Sequence, residues 1–522
     1  MPEPTRGAER RPAFRRRRIA VVLSALALLL FPAVPRAAPQ GQMNIAVHVS
    51  LAPLWFDPAD TAGTITPFLL LYAIHDAVLK PLPEGNPAPA LAERYTVSED
   101  TLVYDFTLRE GIRFHNNEPV TADDVKFSFE RYRGNYRTAL KERVASFDVL
   151  DQRRFRITLK EPWPDFLTFY ATSSGAAWVV PRAYVEKVGD EGFRKAPIGA
   201  GPYRFVSFTP GIELVMEAFE PYWRKTPSIK RLVFKVIPDE STRLVALKRG
   251  EVDLAYSIRG ELGTEVQRSP GLNLKVAPDG ATYWMFFPEQ WDPKSPWHDP
   301  KVRLAAKYAL DYEAINNALN LGYSRINGSF VPVHLDFYWQ PQLPAYDPAK
   351  ARQLLAEAGY PNGFDAGFYT CDASYANLGE AAVNNLNAVG IRVKLRPLER
   401  AAFDRGFLDK RYKGIVQSAS AAFGNAATRL EAFVVQGGAY VHGSYPDIDA
   451  LHPLQARETN IAKRTEILHR MQQMVHERTM FVPIWQLGFL NAAGPRVGES
   501  GFALIKGFVY TAPYEDMTLK DK

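Results

Sequence analysis

The chain contains a single cysteine, Cys371, among its 522 residues. One cysteine cannot form an internal disulfide, so stability must come from a large hydrophobic core, for which a chain of this length has ample material. We predict that Cys371 is a small buried apolar residue and not a nucleophile. Because Cys371 lies far from the N-terminus, no cysteine is available there for lipid modification, and a lipoprotein is not expected.

Outside the N-terminal segment, the chain has no surplus of basic residues. The formal net charge is +6, but residues 1–38 hold eight arginines and two glutamates, which leaves 55 basic and 55 acidic side chains in the remainder. A nucleic-acid-binding surface needs clustered positive charge. Nucleic acid is therefore not expected as a partner.

Long apolar runs are also missing, and the one run near the N-terminus is short. Arg15–Arg18 precede an apolar stretch over 19–31, and a small-residue stretch ends at Ala37-Ala38. Such a stretch is too short to span a bilayer but is typical of a signal peptide, although an uncleaved membrane anchor is the alternative. We predict a signal peptide over 1–38 and a periplasmic location. Arginine pairs leave twin-arginine export open beside general secretion.

The motifs of common enzyme classes are absent. There is no His-Glu-x-x-His zinc motif, no Walker-type phosphate loop and no Gly-x-Ser-x-Gly nucleophile elbow. Gly199-Ala200-Gly201 begins like a dinucleotide fingerprint, but Arg204 occupies the position of the last glycine. His469 and His476 share a helix face, yet a metal site usually needs a third or fourth ligand. We predict no enzymatic activity, no cofactor and no metal site.

Hydrophobic periodicity predicts one continuous α/β protein. Strands in the second half alternate with helices, a βαβ pattern that predicts parallel pairing there. Thr121 is the predicted N-cap of a helix that runs through Arg131. Further helices are predicted over 67–80, 300–319, 348–358 and 461–478, and strands over 44–49, 102–108, 155–160, 203–208, 213–217, 232–237, 252–256, 367–370, 391–397 and 414–418.

Several blocks of sequence resemble, in residues and in order, a known family. They are Pro89–Asp100 with Tyr104–Arg109 and Pro119–Ser128, then Pro197–Tyr203, Tyr222-Trp223 and Pro227, then Gly250–Asp253, Asp299–Arg303, Ala309–Asp311, Tyr346–Pro348 and Leu354–Tyr360. They are similar to the extracellular solute-binding proteins of family 5, the peptide, nickel and oligopeptide class that serves ABC importers. The resemblance covers nearly all of the chain after the leader.

The resemblance implies an α/β fold of two lobes, the type II periplasmic-binding-protein fold in its large class, with an extra subdomain in the first lobe and the solute enclosed between the lobes. The implied division is a signal peptide over 1–38, lobe I over 39–76 and 203–282, the extra subdomain over 77–202, lobe II over 283–490, and a return to lobe I over 491–522.

The function implied by the resemblance is transport. A monomer would capture a peptide-like or other small polar solute and deliver it to the permease subunits of an ABC importer in the inner membrane. An exported hydrolase or a ligand sensor on the same fold is the alternative.

Two charged positions bear on the solute. Family members that bind free dipeptides pair the peptide carboxylate with an arginine after the strand at 367–370, and the amino terminus with an aspartate in the loop at 418–425. This chain has Cys371–Tyr375 and Ser418–Asn425 there, with neither residue at the expected place. A buried charge without a partner is costly. We therefore expect a neutral or weakly charged polar solute: a longer peptide, a sugar or an opine-like compound.

Aromatic and hydroxyl side chains near the implied cleft are the candidate ligand-binding residues. The chain is 12% aromatic with nine tryptophans, and an aromatic ring offers a large contact at low entropic cost. Core packing or hinge support is the alternative role for each aromatic residue. The candidates are Trp55, Tyr283, Trp284, Ser418, Ser420, Phe423, Tyr445 and Trp485.

Overall fold

The structure is a computed structural model that describes residues 38–60, 66–134, 136–172, 174–278, 280–420 and 424–520. The predicted signal peptide, apart from Ala38, lies outside the described residues. The chain from Pro39 onward forms one unit, and the elements below belong to it.

The strands are, in chain order, β1 (Gln40–Val47), β2 (Asp76–Ala77), β3 (Leu79–Leu82), β4 (Gly85–Pro89), β5 (Ala92–Val97), β6 (Val103–Leu108), β7 (Val144–Val149), β8 (Arg154–Leu159), β9 (Trp178–Val179), β10 (Tyr203–Thr209), β11 (Glu213–Ala218), β12 (Ile229–Val236), β13 (Leu254–Ala255), β14 (Asn273–Ala277), β15 (Thr282–Phe286), β16 (Phe364–Asp372), β17 (Ile391–Leu398), β18 (Ile415–Ser420), β19 (Phe481–Gln486), β20 (Phe489–Ala493), β21 (Val497–Glu499) and β22 (Thr518–Leu519).

The helices are α1 (Thr66–Ile74), α2 (Ala122–Arg131), α3 (Arg137–Arg143), α4 (Arg182–Lys195), α5 (Glu240–Lys248), α6 (Gly260–Arg268), α7 (Pro300–Ala309), α8 (Tyr312–Asn320), α9 (Pro348–Glu357), α10 (Ala376–Ala388), α11 (Arg400–Leu408), α12 (Ala426–Phe433), α13 (Pro446–Asp449), α14 (His452–Arg457) and α15 (Ile461–Glu477). Within the described residues, each helix is too short or too polar to cross a lipid bilayer.

Three sheets organise the fold. A seven-stranded sheet has the order β10-β11-β12-β1-β13-β20-β14, and a five-stranded sheet has the order β17-β16-β18-β15-β19. A four-stranded antiparallel sheet, β5-β6-β8-β7, belongs to the segment between β1 and β10. Strand β1 pairs parallel with β12 and β13, and β16 pairs parallel with β17 and β18. The parallel pairing predicted for the second half is confirmed.

The chain crosses between the two large sheets twice. It leaves the seven-stranded sheet after β14 and enters the five-stranded sheet at β15; it returns between β19 and β20. The two crossing segments are hydrogen-bonded to each other: the Leu487 N–H donates to the Ala281 carbonyl over 2.8 Å, and the Gly280 N–H donates to the Leu487 carbonyl over 2.9 Å. In the part of the chain that the structure describes, only these short connections carry the main chain from one large sheet to the other.

Helix ends follow their capping residues. The Thr121 hydroxyl accepts from the Asp124 N–H, and the Asp124 carboxylate accepts from the Thr121 N–H over 2.9 Å, a complete capping box that confirms the predicted start of α2. The segment predicted as one helix over 300–319 is two helices, because Leu310 is extended and Asp311 caps a new helix through the Ala314 N–H.

The helix predicted over 67–80 ends earlier, at Ile74. Residues after it pair as strands instead: β2 pairs with β9, and β3 pairs with β4. The prediction was wrong at this end because strand pairing, with the distant β9 and with the directly following β4, took the backbone hydrogen bonds that a longer helix would have used.

Close packing, and not a positive φ angle, explains why position 199, in one of the family-like blocks, holds a glycine. A Cβ at Gly199 would lie 2.0 Å from the Ile74 carbonyl oxygen. We expect Gly199→Ala to lower the free energy of unfolding by about 1–3 kcal/mol, because the backbone must move to relieve the overlap. Urea denaturation checks this. Gly85→Ala is the control, since its Cβ would meet nothing nearer than 3.7 Å; equal losses for both variants would contradict the explanation.

Candidate functional site

A cavity with a volume of about 110 Å³ lies where the two large sheets face each other. Its polar wall is built at the carboxyl ends of parallel strands, the usual place for ligands in α/β sheets. His48 follows β1 and Tyr256 follows β13 in one sheet; Asp372 ends β16 and Arg400 follows β17 in the other. The lining residues are His48, Val49, Leu69, Tyr256, Tyr283, Asp372, Tyr375, Arg400, Phe403, Asp404, Phe407, Leu408, Gln417, Ser418, Ala419, Phe433, Tyr440 and Tyr510.

An ion pair stands in the cavity wall. The Asp372 carboxylate accepts from the Ser374 N–H over 2.9 Å and pairs through its second oxygen with the Arg400 guanidinium. Burial opposes the charge on Arg400, but the Asp372 carboxylate, with smaller help from Tyr375 and Asp404, raises its pKa above the ordinary value. Asp372 and Arg400 therefore neutralise each other.

His48 presents an imidazole without a hydrogen-bonding partner. It is 8% exposed, and in the described part of the chain neither ring nitrogen finds a partner. Burial, followed by the charges of Arg243, Arg400 and Arg259, lowers the pKa of His48 well below its ordinary value. The ring is therefore neutral at physiological pH and offers one donor and one acceptor toward the cavity.

Asp404 is the second carboxyl group of the wall. It forms no ion pair with the described residues within 4 Å. The residue keeps an exposed surface, yet the protein around its carboxyl excludes enough water to raise its pKa to about 6; Arg400 opposes this shift, and Asp372 and Glu399 add to it. At neutral pH the carboxylate is mostly ionised and is not neutralised by a dedicated cation.

Tyrosines and phenylalanines complete the lining. The ring of Tyr283 lies 4.9 Å from that of Tyr375, and burial is the main cause that raises the pKa of Tyr283 and Tyr510 well above the ordinary value. These phenols stay protonated and can donate. At the other end the rings of Phe403, Phe407 and Tyr440 stack in sequence, so one end of the cavity is polar and the other is apolar.

Two of the sequence-predicted site residues lie in the cavity lining. They are Tyr283 on β15 and Ser418 on β18. Trp284 takes the face of β15 opposite to Tyr283, because successive side chains of a strand alternate, and it packs against Phe433 with ring centroids 5.2 Å apart. It supports a lining residue from behind.

The other predicted residues that the structure describes lie away from the lining. Ser420 accepts a hydrogen bond from Arg429, and Trp485, on β19 opposite Tyr283, is buried in the core. Trp55 lies half-buried in the short helix before α1. Tyr445 packs its ring on Trp291 at 4.8 Å and under the Arg478 guanidinium at 4.2 Å. Phe423 lies outside the described residues.

Sequence reasoning missed His48, Arg400 and Asp404. The resemblance directed attention to two loops, and the lack of the expected charges there predicted a neutral or weakly charged solute. Charged side chains of the cavity wall also come from α11, which follows β17. A partial signal was present: Arg400 closely follows the strand predicted over 391–397, for which parallel pairing was expected, and the carboxyl ends of parallel strands are the usual place for ligands in α/β sheets. His48 lies near the end of the strand predicted over 44–49, whose pairing was not predicted. Within the described residues, no three His, Cys, Asp or Glu side chains are grouped to hold a metal ion.

Known proteins share this sequence pattern and this fold. The model of the Bacterial extracellular solute-binding proteins, family 5 Middle, matches residues 86–440. Among curated relatives, the glutathione-binding protein GsiB of Salmonella typhi is 33% identical over 280 residues, and that of Escherichia coli K12 is 32% identical over 280 residues. Each match covers 52% of this chain and 53% of the relative, so the chain spans about half the length of the curated relatives it matches.

Solved structures match over a longer stretch. The binding protein AgaA of A. tumefaciens R10, in complex with agropinic acid, has a TM-score of 0.79 and 25% identity, and the match covers 92% of this chain and 99% of that chain. DppA of Helicobacter pylori, in complex with the peptide STSA, has a TM-score of 0.80 and 22% identity over 92% of this chain and 98% of that chain. The two-lobed α/β fold of periplasmic binding proteins is thereby confirmed.

Proposed function

Since the chain belongs to the bacterial extracellular solute-binding proteins of family 5, we propose that it captures a small polar solute between its lobes, outside the cytoplasm, and delivers it to the permease of an ABC importer. The observation that carries this proposal is the cavity, whose walls come from both large sheets. A solute that touches both walls favours the closed arrangement by the contacts it makes only there.

Closure follows from the two crossing segments. Because the described main chain passes between the two large sheets only between β14 and β15 and between β19 and β20, small backbone rotations near these connections would separate the walls of the cavity. We place the lobe boundaries near these crossings, with lobe I over 39–76 and 203–282, lobe II over 283–490, the extra subdomain over 77–202 and the return over 491–522. The permease then recognises the closed form.

In this proposal the solute is a peptide-like or opine-like compound. GsiB is a glutathione-binding protein and AgaA was solved with agropinic acid, and both solutes are small and polar. The protein acts as a monomer without chemistry of its own, and the leader over 1–38 directs it to the periplasm.

Native mass spectrometry of protein purified from its own periplasm tests the function. We expect a discrete mass excess that disappears after unfolding and refolding. Ala419 lies opposite Tyr283 in the β15–β18 pair and lines the cavity, so Ala419→Phe, which fills this space, is expected to remove the excess mass. Ala349→Phe, on the exposed surface of α9, is the control. Retention of the solute by Ala419→Phe would contradict the assignment of the cavity.

A further inference from the structure

The charges of the cavity wall do not balance. Among the residues that line the cavity, Asp372 and Arg400 form a pair and His48 is neutral, so Asp404 leaves one negative charge on the lining. The charges of Arg243 and Arg259 act on His48 from behind the lining. Asp404 is exposed and lines the cavity, so a solute that fills the cavity would remove water from this carboxylate and leave its charge uncompensated unless the solute brings a cation. A cationic group on the solute would supply the missing partner.

The wall next to Asp404 is aromatic and indicates a second feature of the solute. Asp404 lies on α11 between Phe403 and Phe407, and the Phe403 and Phe407 rings are nearly parallel with centroids 6.3 Å apart. The Tyr440 ring stacks on Phe407 at 5.7 Å and on Phe433 at 4.8 Å. Such a wall packs against a nonpolar group, and the faces of its rings also attract a cation.

His48 is the independent sign that a ligand completes this site. Its ring is more than nine-tenths buried, lines the cavity, and has both nitrogens without a partner in the described residues. Buried polar atoms are normally hydrogen-bonded. A polar group of the solute would satisfy at least one of these nitrogens.

We propose that the solute carries a cationic nitrogen that binds Asp404, a nonpolar group that packs on Phe403, Phe407, Phe433 and Tyr440, and a polar group that hydrogen-bonds His48. This proposal rests on the proposed function, since it assigns the chemistry of the same cavity. The solute class is therefore amines with a compact nonpolar substituent, including zwitterions of that kind. Asp404, on α11, is the specificity-determining residue.

Calorimetric titration of refolded, solute-free protein tests the charge assignment with three probes that share a phenylpropyl skeleton. L-phenylalaninamide is cationic, 3-phenylpropanamide is its neutral analogue without the ammonium group, and 3-phenylpropanoate is anionic. We expect the cationic probe to bind about 10- to 100-fold more tightly than the neutral one, the range for a hydrogen bond to a charged group. Equal binding, tighter binding of the neutral or anionic probe, or no binding of the cationic probe at millimolar concentration overturns the proposal.

Substitutions and the pH dependence test whether Asp404 causes the preference for the cationic probe. Asp404→Asn is expected to abolish the preference for the cationic probe, whereas Asp409→Asn, an exposed carboxylate paired with Arg411, is expected to keep it. The charged and titratable groups that act on Asp404 are Arg400, Asp372, Glu399 and Tyr412. Because only the ionised carboxylate attracts the ammonium group, the preference should be lost as the pH falls through about 6. It should also decline above about pH 7.5, where the α-amino group of the probe loses its proton, so the preference is measured between these values. A preference that survives in Asp404→Asn overturns the assignment.

The solute recovered from the periplasm separates this proposal from the proposed function. A recovered solute with a basic nitrogen supports both. A neutral or anionic solute that Ala419→Phe excludes overturns the cation assignment and leaves the transport function standing. A solute that Ala419→Phe retains overturns the cavity assignment on which both depend.

Discussion

Asp165→Ala is expected to lower the free energy of unfolding by about 3–5 kcal/mol, the usual loss when one partner of a buried ion pair is removed. Asp165 and Arg464 are 2% and 4% exposed and form an ion pair. The Asn425 amide also donates to Asp165 over 2.6 Å. Without the carboxylate, the Arg464 guanidinium stays buried and, among the described residues, keeps hydrogen bonds to Gln455 alone.

This ion pair joins distant parts of the chain. Asp165 follows β8 of the four-stranded sheet, whereas Arg464 lies in α15 and Asn425 caps α12. Because this pair joins the two proposed lobes, urea denaturation of protein purified with its periplasmic solute, in which the lobes are closed, measures the loss. The matched control is Glu161→Gln, which breaks the pair with Arg457 between the same two parts of the chain; both side chains are largely exposed, so less than about 1 kcal/mol is expected. Similar losses for the two variants would contradict the role of burial.

Lys80→Met is expected to cost about 3–5 kcal/mol of unfolding free energy as well, because it leaves the Asp76 carboxylate buried without its cation. The Lys80 ammonium lies 3.0 Å from Asp76, and both residues are at most 1% exposed. The carboxylate also accepts from the Trp223 indole N–H over 2.6 Å and from the Tyr222 hydroxyl over 3.0 Å. These neutral donors hold the carboxylate in place but do not balance its charge.

Denaturation of Lys80→Met beside Lys126→Met measures this effect. Lys126 forms an exposed pair with Glu130 one helical turn away, and its loss is expected to cost less than about 0.5 kcal/mol. The double variant Asp76→Asn with Lys80→Met removes both charges and is expected to recover part of the stability. A double variant as unstable as Lys80→Met alone would show that the loss comes from packing and not from the uncompensated carboxylate.

Local sequence signals determined much of the scaffold. Thr121 and Asp124 form the capping box that starts α2 because both partners lie within one helical turn. Cys371 is fully buried, as predicted, and burial raises its pKa to about 12, which keeps the thiol protonated. The ordered family-like blocks led to the family and to the two-lobed fold.

The binding site depended on information that is not local. Tyr283 and Trp284 are neighbours of similar chemistry on a strand buried on both faces, so alternation alone does not tell which ring faces the cavity. His48 and Asp404 are separated by more than 350 positions in the sequence and meet only because two sheets face each other across the crossing segments. The sequence by itself determined many of the elements and the family. The tertiary structure decided which charges line the cavity, because a charge acts through distance and burial, and neither quantity exists before the chain has folded.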